Sequence, residues 1–280
     1  MLKRFSLTLI FAAAAAVAQA QTPAETTPST QVIVGEQIYG FATPPRLLAV
    51  YQAYELSPAE YWPSSRLVSA RQNDKVAERR RLLIERLHEL AGAAQVEGDD
   101  ALVRNAQAYA QQLQQWPLLG AEWIGVTKIN DSLQVQSGVN VERPSLYSSF
   151  NDAASNLQAN PVLAASQYQL LPPKDLGDWQ VKVVSPQGVE TLAFGQNDTV
   201  RDVLKQTEVF AQDYDLAEVT LVSLTGLSRT SNVAYYNDAK DLPPVHGIIF
   251  VGLDLSAMDD EWQVLNRQLA ALLSYWNPQS

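Results

Sequence analysis

Residues 179–280 carry the pattern that most restricts how this 280-residue chain can fold. The run 247–253 is almost continuously apolar, which is typical of a strand that is buried on both faces. Residues 179–184 alternate apolar and polar side chains, a tight turn follows at 185–188, and residues 189–194 return as a second strand. The sequence therefore predicts a hairpin at the start of this region and a central strand near its end.

A short helix is predicted between these strands. Thr199 can cap it, and Asp202 three positions later gives it a capping-box-like start. Two β-rich runs, 218–224 and 232–236, lie between this helix and the apolar run. The order of hairpin, helix, strand pair and buried last strand fits a β-grasp domain, in which the helix crosses one face and the last strand lies beside the first. We place this domain at 175–255.

The chain ends in a predicted amphipathic helix, which we place at 256–280. Its apolar residues recur at three- and four-residue steps, the spacing of one helix face. They are Trp262, Leu265, Leu269, Leu272, Leu273 and Trp276. Two interpretations stay open. The stripe packs on the protein's own strands, as most terminal amphipathic helices do, or it binds a partner, because tryptophan is enriched at interfaces. The partner-binding set is Trp262, Leu265, Leu269, Leu272 and Trp276.

The first 20 residues have the pattern of a secretory signal. Lys3 and Arg4 precede an apolar core at 7–17, and Ala18-Gln19-Ala20 matches the small-x-small cleavage pattern, so we expect cleavage after Ala20. The chain has no cysteine. An exported protein without cysteine is typical of the bacterial periplasm, where we expect this protein. No other segment is long and apolar enough to predict a membrane span.

The charge of the chain argues against two classes of partner. The full sequence has 20 basic and 30 acidic residues, and loss of Lys3 and Arg4 with the signal leaves 18 against 30, a net charge of −12. Nucleic acid and anionic lipid both require clustered positive charge, so neither is a predicted partner. Glycans bound by local groups are not excluded.

The first half begins with a Thr- and Pro-rich stretch at 21–30, which we interpret as a flexible leader. Residues 31–174 are predicted to form a small β domain with a helical hairpin inserted at about 74–116. Two apolar stripes on either side of Gly98 carry that prediction. They comprise Val76, Leu83, Leu87 and Leu90, then Leu102, Ala106, Tyr109, Leu113 and Trp116. Paired prolines at 172–173 mark the boundary with the second domain.

Motifs of catalysis are missing from the sequence. His88-Glu89 begins like a zinc-protease helix, but the second histidine is absent, and there is no nucleophile elbow, P-loop or dinucleotide-binding loop. We therefore predict no catalytic residue, no metal site and no cofactor, and a protein that is not an enzyme. Carboxylates are abundant, so a glycosidase-type pair stays open. The acidic clusters at 99–100 and 259–261 are explained by their place at helix starts.

Ordered short signatures extend over most of the chain. They are Pro45-Arg46-Leu47, Tyr61-Trp62-Pro63, Asn160-Pro161-Val162-Leu163, Leu170-Leu171-Pro172-Pro173, the segment 233–237, Pro244 with the run 247–253, and Leu265-Asn266. In this order they resemble the GfcC-like capsule and exopolysaccharide biosynthesis family. The resemblance implies two tandem β-grasp domains, a helical insertion in the first and a C-terminal amphipathic helix. That layout is similar to the periplasmic part of outer-membrane polysaccharide exporters.

One position departs from the family pattern. The family often carries an arginine after a glycine just beyond the helical pair, and here Gly120 is followed by Ala121. If that arginine lines a polar pocket, Arg143 is the candidate to replace it.

The resemblance implies a non-enzymatic periplasmic accessory protein of capsule or exopolysaccharide biosynthesis and export. Its expected partners are outer-membrane polysaccharide export or secretion proteins. Two alternatives stay open. A glycan-binding module that holds the polymer would show an aromatic, polar cleft, and a carbohydrate-modifying enzyme would show two carboxyl groups that face each other across a cleft.

Overall fold

The computed structural model describes residues 29–57, 60–121, 139–141, 150–157, 160–209 and 216–280. These residues form two mixed β-sheets and six α-helices, an α+β fold as the sequence predicts. The strands are β1 (Thr30–Val34), β2 (Gln37–Phe41), β3 (Arg66–Ser69), β4 (Val139–Val141), β5 (Gln167–Leu171), β6 (Gln180–Ser185), β7 (Gly188–Ala193), β8 (Glu218–Val222), β9 (Leu227–Asn232) and β10 (Ile248–Phe250). The helices are α1 (Leu47–Ala53), α2 (Ala70–Glu97), α3 (Asp100–Leu113), α4 (Phe150–Ser155), α5 (Val200–Leu204) and α6 (Leu265–Leu273).

The first sheet has four strands in the order β2-β1-β5-β3. β1 and β2 form a hairpin that turns at Gly35, whose φ of +59° suits glycine. β5 lies parallel to β1 and antiparallel to β3. α1 packs on this sheet, and Leu47 and Tyr51 from the helix share a buried cluster with Val32 and Leu170 from the strands.

The second sheet has six strands in the order β4-β9-β8-β10-β6-β7. β10 lies between β6, to which it is parallel, and β8, to which it is antiparallel. Ile249 faces a cluster that includes α5, whereas Ile248 and Phe250 face a second cluster on the other side. All three residues are buried, which confirms the prediction of a central strand covered on both faces.

Local signals correctly place the hairpin and the short helix of this region. β6 and β7 pair across the predicted turn at 185–188. Thr199 and Asp202 form the predicted capping box at α5, because the Thr199 hydroxyl accepts from the Asp202 N–H and the Asp202 carboxylate accepts from the Thr199 N–H.

The partner of β8 lies earlier in the chain than the sequence predicts. β9 covers 227–232, whereas the β-rich run suggested 232–236. The turn explains the difference: the Gly226 N–H donates to the Ser223 carbonyl, and the Gly226 φ is +87°, so the chain reverses directly after β8. The polar residues that follow the turn then pair with β8, and the two tyrosines of the predicted strand lie beyond it.

α2 and α3 lie over the second sheet, on the face opposite α5. α2 ends at Gly98 in the left-handed conformation, and Asp99 caps α3 by accepting from the Leu102 N–H at 2.9 Å. The Tyr109 hydroxyl donates to the Val251 carbonyl, and the Gln112 amide donates to the Ser185 carbonyl at 2.9 Å. Both contacts anchor α3 to strand ends of the second sheet.

The C-terminal helix is shorter than predicted. α6 covers 265–273, and the residues before it form turns rather than the helix expected from 256 onward. Side chains hold those turns: Asp254 accepts from the Ser256 N–H and hydroxyl, and Gln263 donates to the Leu255 and Met258 carbonyls. These local bonds compete with helical hydrogen bonds, so the helix starts late. In the ranges that the structure describes, no helix has the length and apolarity to cross a membrane.

Candidate functional site

The structure places the predicted partner-binding stripe in the core of the protein. Trp262, Leu265, Leu269 and Leu272 are buried, and Trp276 is half-buried. The four buried residues belong to one cluster with the apolar faces of α2 and α3 and with Phe250 of the second sheet. The stripe thus packs on its own chain. Partner binding through these residues stays a prediction, and it requires α6 to leave this cluster.

Polar contacts also fasten this segment to α2. The Arg86 guanidinium lies 4.3 Å from the centroid of the Trp262 ring, a cation–π distance, and it is 3.6 Å from the Glu261 carboxylate. Exposed ion pairs contribute little by themselves, so the stacked ring is the stronger contact.

The candidate polar-pocket residue, Arg143, lies outside the described residues. Ala121, which stands where the family pattern has its arginine, lies within the described residues. Ala121 is buried in the cluster of the first sheet and forms a β-bridge with Val68. Gly120 touches α2 so closely that a Cβ there would lie 2.2 Å from the Asn73 backbone nitrogen. Ala121 therefore lies in an apolar cluster, and the backbone of α2 leaves no room for a side chain at Gly120.

A pocket of about 240 Å³ lies where the two sheets and the C-terminal residues meet. Its walls come from the segment before β6, from β6, from the residues before β10, and from the chain after α6. The polar and aromatic side chains that line it include Lys174, Asp175, Gln180, Lys182, His246, Ser274, Trp276 and Gln279. We call it the junction pocket.

Lys182 is the central cation of the junction pocket. Its Nζ lies 6.0 Å from the centroid of the Trp276 ring and 3.5 Å from the Ser280 carbonyl oxygen. Burial lowers the pKa of the Lys182 ammonium, because the charged form loses hydration. The pocket therefore presents an amine and an aromatic face close together.

His246 also lines the junction pocket. Its backbone is in the left-handed region at φ +53°, and its backbone N–H donates to the Gln180 carbonyl at 2.7 Å. Burial lowers the pKa of the imidazole, the carboxylate of Asp175 opposes that shift, and the ammonium of Lys182 adds to it. A non-glycine residue at positive φ is uncommon and costs free energy, so the backbone here is held by its surroundings.

Arg66 has a structural role at the edge of the pocket. Its guanidinium donates to the Pro63 carbonyl at 2.8 Å, to the Ser65 carbonyl at 2.7 Å and to the Leu224 carbonyl at 3.0 Å. It therefore ties the first sheet to the turn after β8.

The chemistry of the pocket is that of binding. Amide, hydroxyl and ammonium groups surround an aromatic wall, a combination that suits a polar ligand with an anionic group. Asp175 is the single acidic side chain among its described lining residues, so this pocket does not present two facing carboxyl side chains. Among the residues that the structure describes, no three histidine or acidic side chains are placed to hold a metal ion.

No pattern in the sequence predicts this pocket. Its residues come from positions as far apart as Arg66 and Ser280, and no local pattern links them. Among the lining residues, Trp276 is the one that the sequence marks as a candidate site residue, and it does so as part of a partner-binding stripe rather than of a pocket.

The fold and its pocket define an α+β protein with two mixed sheets and no recognisable catalytic constellation among its described residues. Residues 181–277 match the family model described as "Capsule biosynthesis GfcC C-terminal". The match covers the C-terminal region from β6 to just past α6, and there it confirms the resemblance to the GfcC-like capsule biosynthesis family. No curated protein matches the chain.

Proposed function

We propose that this protein is a non-enzymatic, periplasmic accessory protein of polysaccharide export that acts through contacts with the secretion machinery. The family match at 181–277 carries the proposal, because a capsule biosynthesis domain in this region supports a role in the biosynthesis of capsule polysaccharide. The signal-like pattern of residues 1–20 supports a periplasmic location.

We further propose that both sheets are β-grasp units in tandem. In the first sheet the first and last strands, β1 and β5, are parallel neighbours, and in the second sheet β6, which opens the C-terminal region, is the parallel neighbour of the last strand, β10. β4, from earlier in the chain, is added to the second sheet beside β9. In each sheet, a hairpin precedes a helix, α1 or α5, that joins the cluster on one face. α2 and α3 then form the helical hairpin that is inserted in the first unit.

The accessory role can be tested in a strain that lacks the protein. We expect less polysaccharide at the cell surface while synthesis of the repeat unit continues. The wild-type chain should restore display, and a chain without residues 1–20 should not. Unchanged surface display would refute the accessory role, and loss of the repeat unit itself would point to an enzyme of synthesis.

The junction pocket favours a second candidate function, a glycan-binding module. An aromatic ring and a cation side by side can hold an acidic sugar. Calorimetric titration with oligosaccharides of the strain's own polymer should detect binding to the wild type and weaker binding to Lys182→Gln. The control is Lys75→Gln on the exposed side of α2, which removes the same charge elsewhere. Equal affinities for both variants would exclude the pocket as the binding site.

A further inference from the structure

Two neighbouring tyrosines are almost fully exposed in the segment that follows β9. Tyr235 is 89% exposed and Tyr236 is 83% exposed. A single exposed aromatic residue needs no explanation, but adjacent rings that gain no burial within their own chain are typical of a binding surface.

The segment that carries the tyrosines is fixed at both ends. Val233 is fully buried and donates its N–H to the Ala217 carbonyl at 2.9 Å. Ala239 donates to the Asn232 carbonyl at 3.0 Å, and Asn237 donates to the Ala234 carbonyl at 3.1 Å. The rings therefore lie on an ordered turn. Because the turn is already fixed in the free protein, less conformational entropy is lost on binding.

Three cations line the same depression as the two rings. The Arg201 guanidinium lies 5.4 Å from the centroid of the Tyr235 ring. Lys205 and Lys240 line the same shallow depression, together with Asn237 and a single acidic residue, Asp238. Lys205 also contacts Asp202 of its own helix at 3.0 Å. The residues that line the depression carry three cations against one carboxylate. When Asp202, which pairs with Lys205, is included, the balance is three against two, so the depression stays net positive on a chain whose net charge is −10.

We propose that this surface, the tyrosine platform of Arg201, Lys205, Tyr235, Tyr236 and Lys240, binds a segment of acidic polysaccharide. The phenol faces stack on the C–H faces of two sugar rings, and the guanidinium and ammonium groups bind uronate carboxylates. The depression is shallow and open rather than a closed pocket, which suits a polymer that lies across it. The proposal rests on the role in polysaccharide biosynthesis and adds the site and the class of glycan.

The test uses a tetramer of galacturonic acid as the acidic probe and cellotetraose as a neutral probe of the same length. Calorimetric titration of the mature protein should show binding of the acidic tetramer that weakens with added salt, and about tenfold weaker binding of the neutral one. Tyr235→Ala with Tyr236→Ala, and separately Arg201→Gln, should each reduce affinity for the acidic tetramer about tenfold. Tyr235→Phe with Tyr236→Phe should retain it, because the ring faces remain.

The controls separate this inference from the proposed function. Lys75→Gln should bind the acidic tetramer as the wild type does, and thermal melts should show that the tyrosine variants fold, since both rings are exposed. Failure of the wild type to bind the acidic tetramer would overturn the proposal, as would wild-type affinity in the double alanine variant. If that variant binds the tetramer normally but loses cross-links to an export protein, the platform is a protein contact instead. Normal surface display in a strain carrying the double alanine variant, with display lost in the deletion strain, would leave the accessory role standing and remove this site from it.

Discussion

The side-chain amide of Asn266 pairs with both backbone groups of Leu253. The Leu253 N–H donates to Asn266 Oδ1 at 2.8 Å, and Asn266 Nδ2 donates to the Leu253 carbonyl at 2.8 Å. Leu253 follows the central strand β10, and Asn266 is on α6, so one side chain continues the hydrogen bonding where strand pairing ends. Gly252 allows this contact, because a Cβ there would lie 2.7 Å from Asn266 Nδ2.

Replacement of this amide should destabilise the protein. Asn266→Ala removes two hydrogen bonds and leaves the Leu253 backbone groups without them, so we expect a loss of about 1–3 kcal/mol in the free energy of unfolding. Urea denaturation measures it. Gln268→Ala, at an exposed position of the same helix, is the control and should change stability by less than about 0.5 kcal/mol. Equal effects of the two variants would show that the amide pair contributes nothing specific.

Leu269→Ala tests whether the apolar stripe of α6 belongs to the core. Leu269 is fully buried, and its truncation should lower the free energy of unfolding by about 2–5 kcal/mol. Val264→Ala, at a position that is 43% exposed, should have a much smaller effect in the same denaturation experiment. If Leu269→Ala instead keeps wild-type stability and loses cross-links to a polysaccharide export protein, α6 lies outside the core in solution.

Two glycines should respond to alanine in opposite directions. Gly92 lies within α2, where an added Cβ meets no atom within 4 Å, so Gly92→Ala should raise the free energy of unfolding by about 0.5–1 kcal/mol. At Gly120 the Cβ would press on the Asn73 backbone, so Gly120→Ala should lower it by about 1–3 kcal/mol. Thermal melts of both variants decide the matter. A stabilised Gly120→Ala would contradict the close contact between this segment and α2.

Asp202 makes the stability of α5 dependent on acid pH. Hydrogen bonds from the Thr199 hydroxyl and from Lys205 lower the pKa of the Asp202 carboxyl from 3.8 to about 2. A carboxyl with a depressed pKa in the folded state stabilises above its unfolded pKa, and the contribution is lost as pH falls through the folded value. The difference in melting temperature between wild type and Asp202→Asn should therefore be full at pH 7 and shrink between pH 3.8 and about 2.

Thr199→Val provides the check on this cause, because it removes the hydroxyl that donates to Asp202. In the Thr199→Val protein, the pH-dependent part of the change in melting temperature caused by Asp202→Asn should be smaller. A difference that persists unchanged at pH 2 would show that the charge of Asp202 has no part in it.

His246 should titrate below its ordinary range. The chain has two histidines, so His88→Gln leaves His246 as the single imidazole for a titration followed by NMR. We expect a midpoint below 6.5, because burial disfavours the imidazolium and Lys182 adds repulsion. The unfolded chain then binds more protons than the folded one, so this group makes stability rise with pH across that window. Lys182→Gln should move the midpoint upward, and a midpoint above 6.5 in the His88→Gln protein would contradict the half-buried position of His246 beside Lys182.

Local signals in the sequence were sufficient where structure depends on neighbours in the chain. The capping box at Thr199, the cap at Asp99 and the turn before Gly188 all depend on residues within four positions. The buried strand β10 was also predictable, because a strand covered on both faces needs apolar residues at every position.

The sequence pattern gives the wrong bounds where specific hydrogen bonds, near or distant in the chain, override it, and it misses the pocket because distant segments form it. β9 is polar, and it is a strand because the turn at Gly226 brings it to β8, not because of its own β-propensity. The start of α6 was misplaced because Asp254 and Gln263 bond to backbone groups that a helix would use. The junction pocket joins residues from Arg66 to Ser280, so it exists only once the sheets are assembled.

The location of α2 and α3 over the second sheet has a consequence for the order of folding. A chain made from its N-terminus completes these helices before the strands that cover them, and the last contributors to their cluster are residues 265–275. Until then the apolar side of the helix pair faces water, where it promotes aggregation unless a chaperone binds it. Residues 265–275 therefore complete this cluster, and a chain that stops before Leu265 should fail to fold as a whole rather than lose one helix.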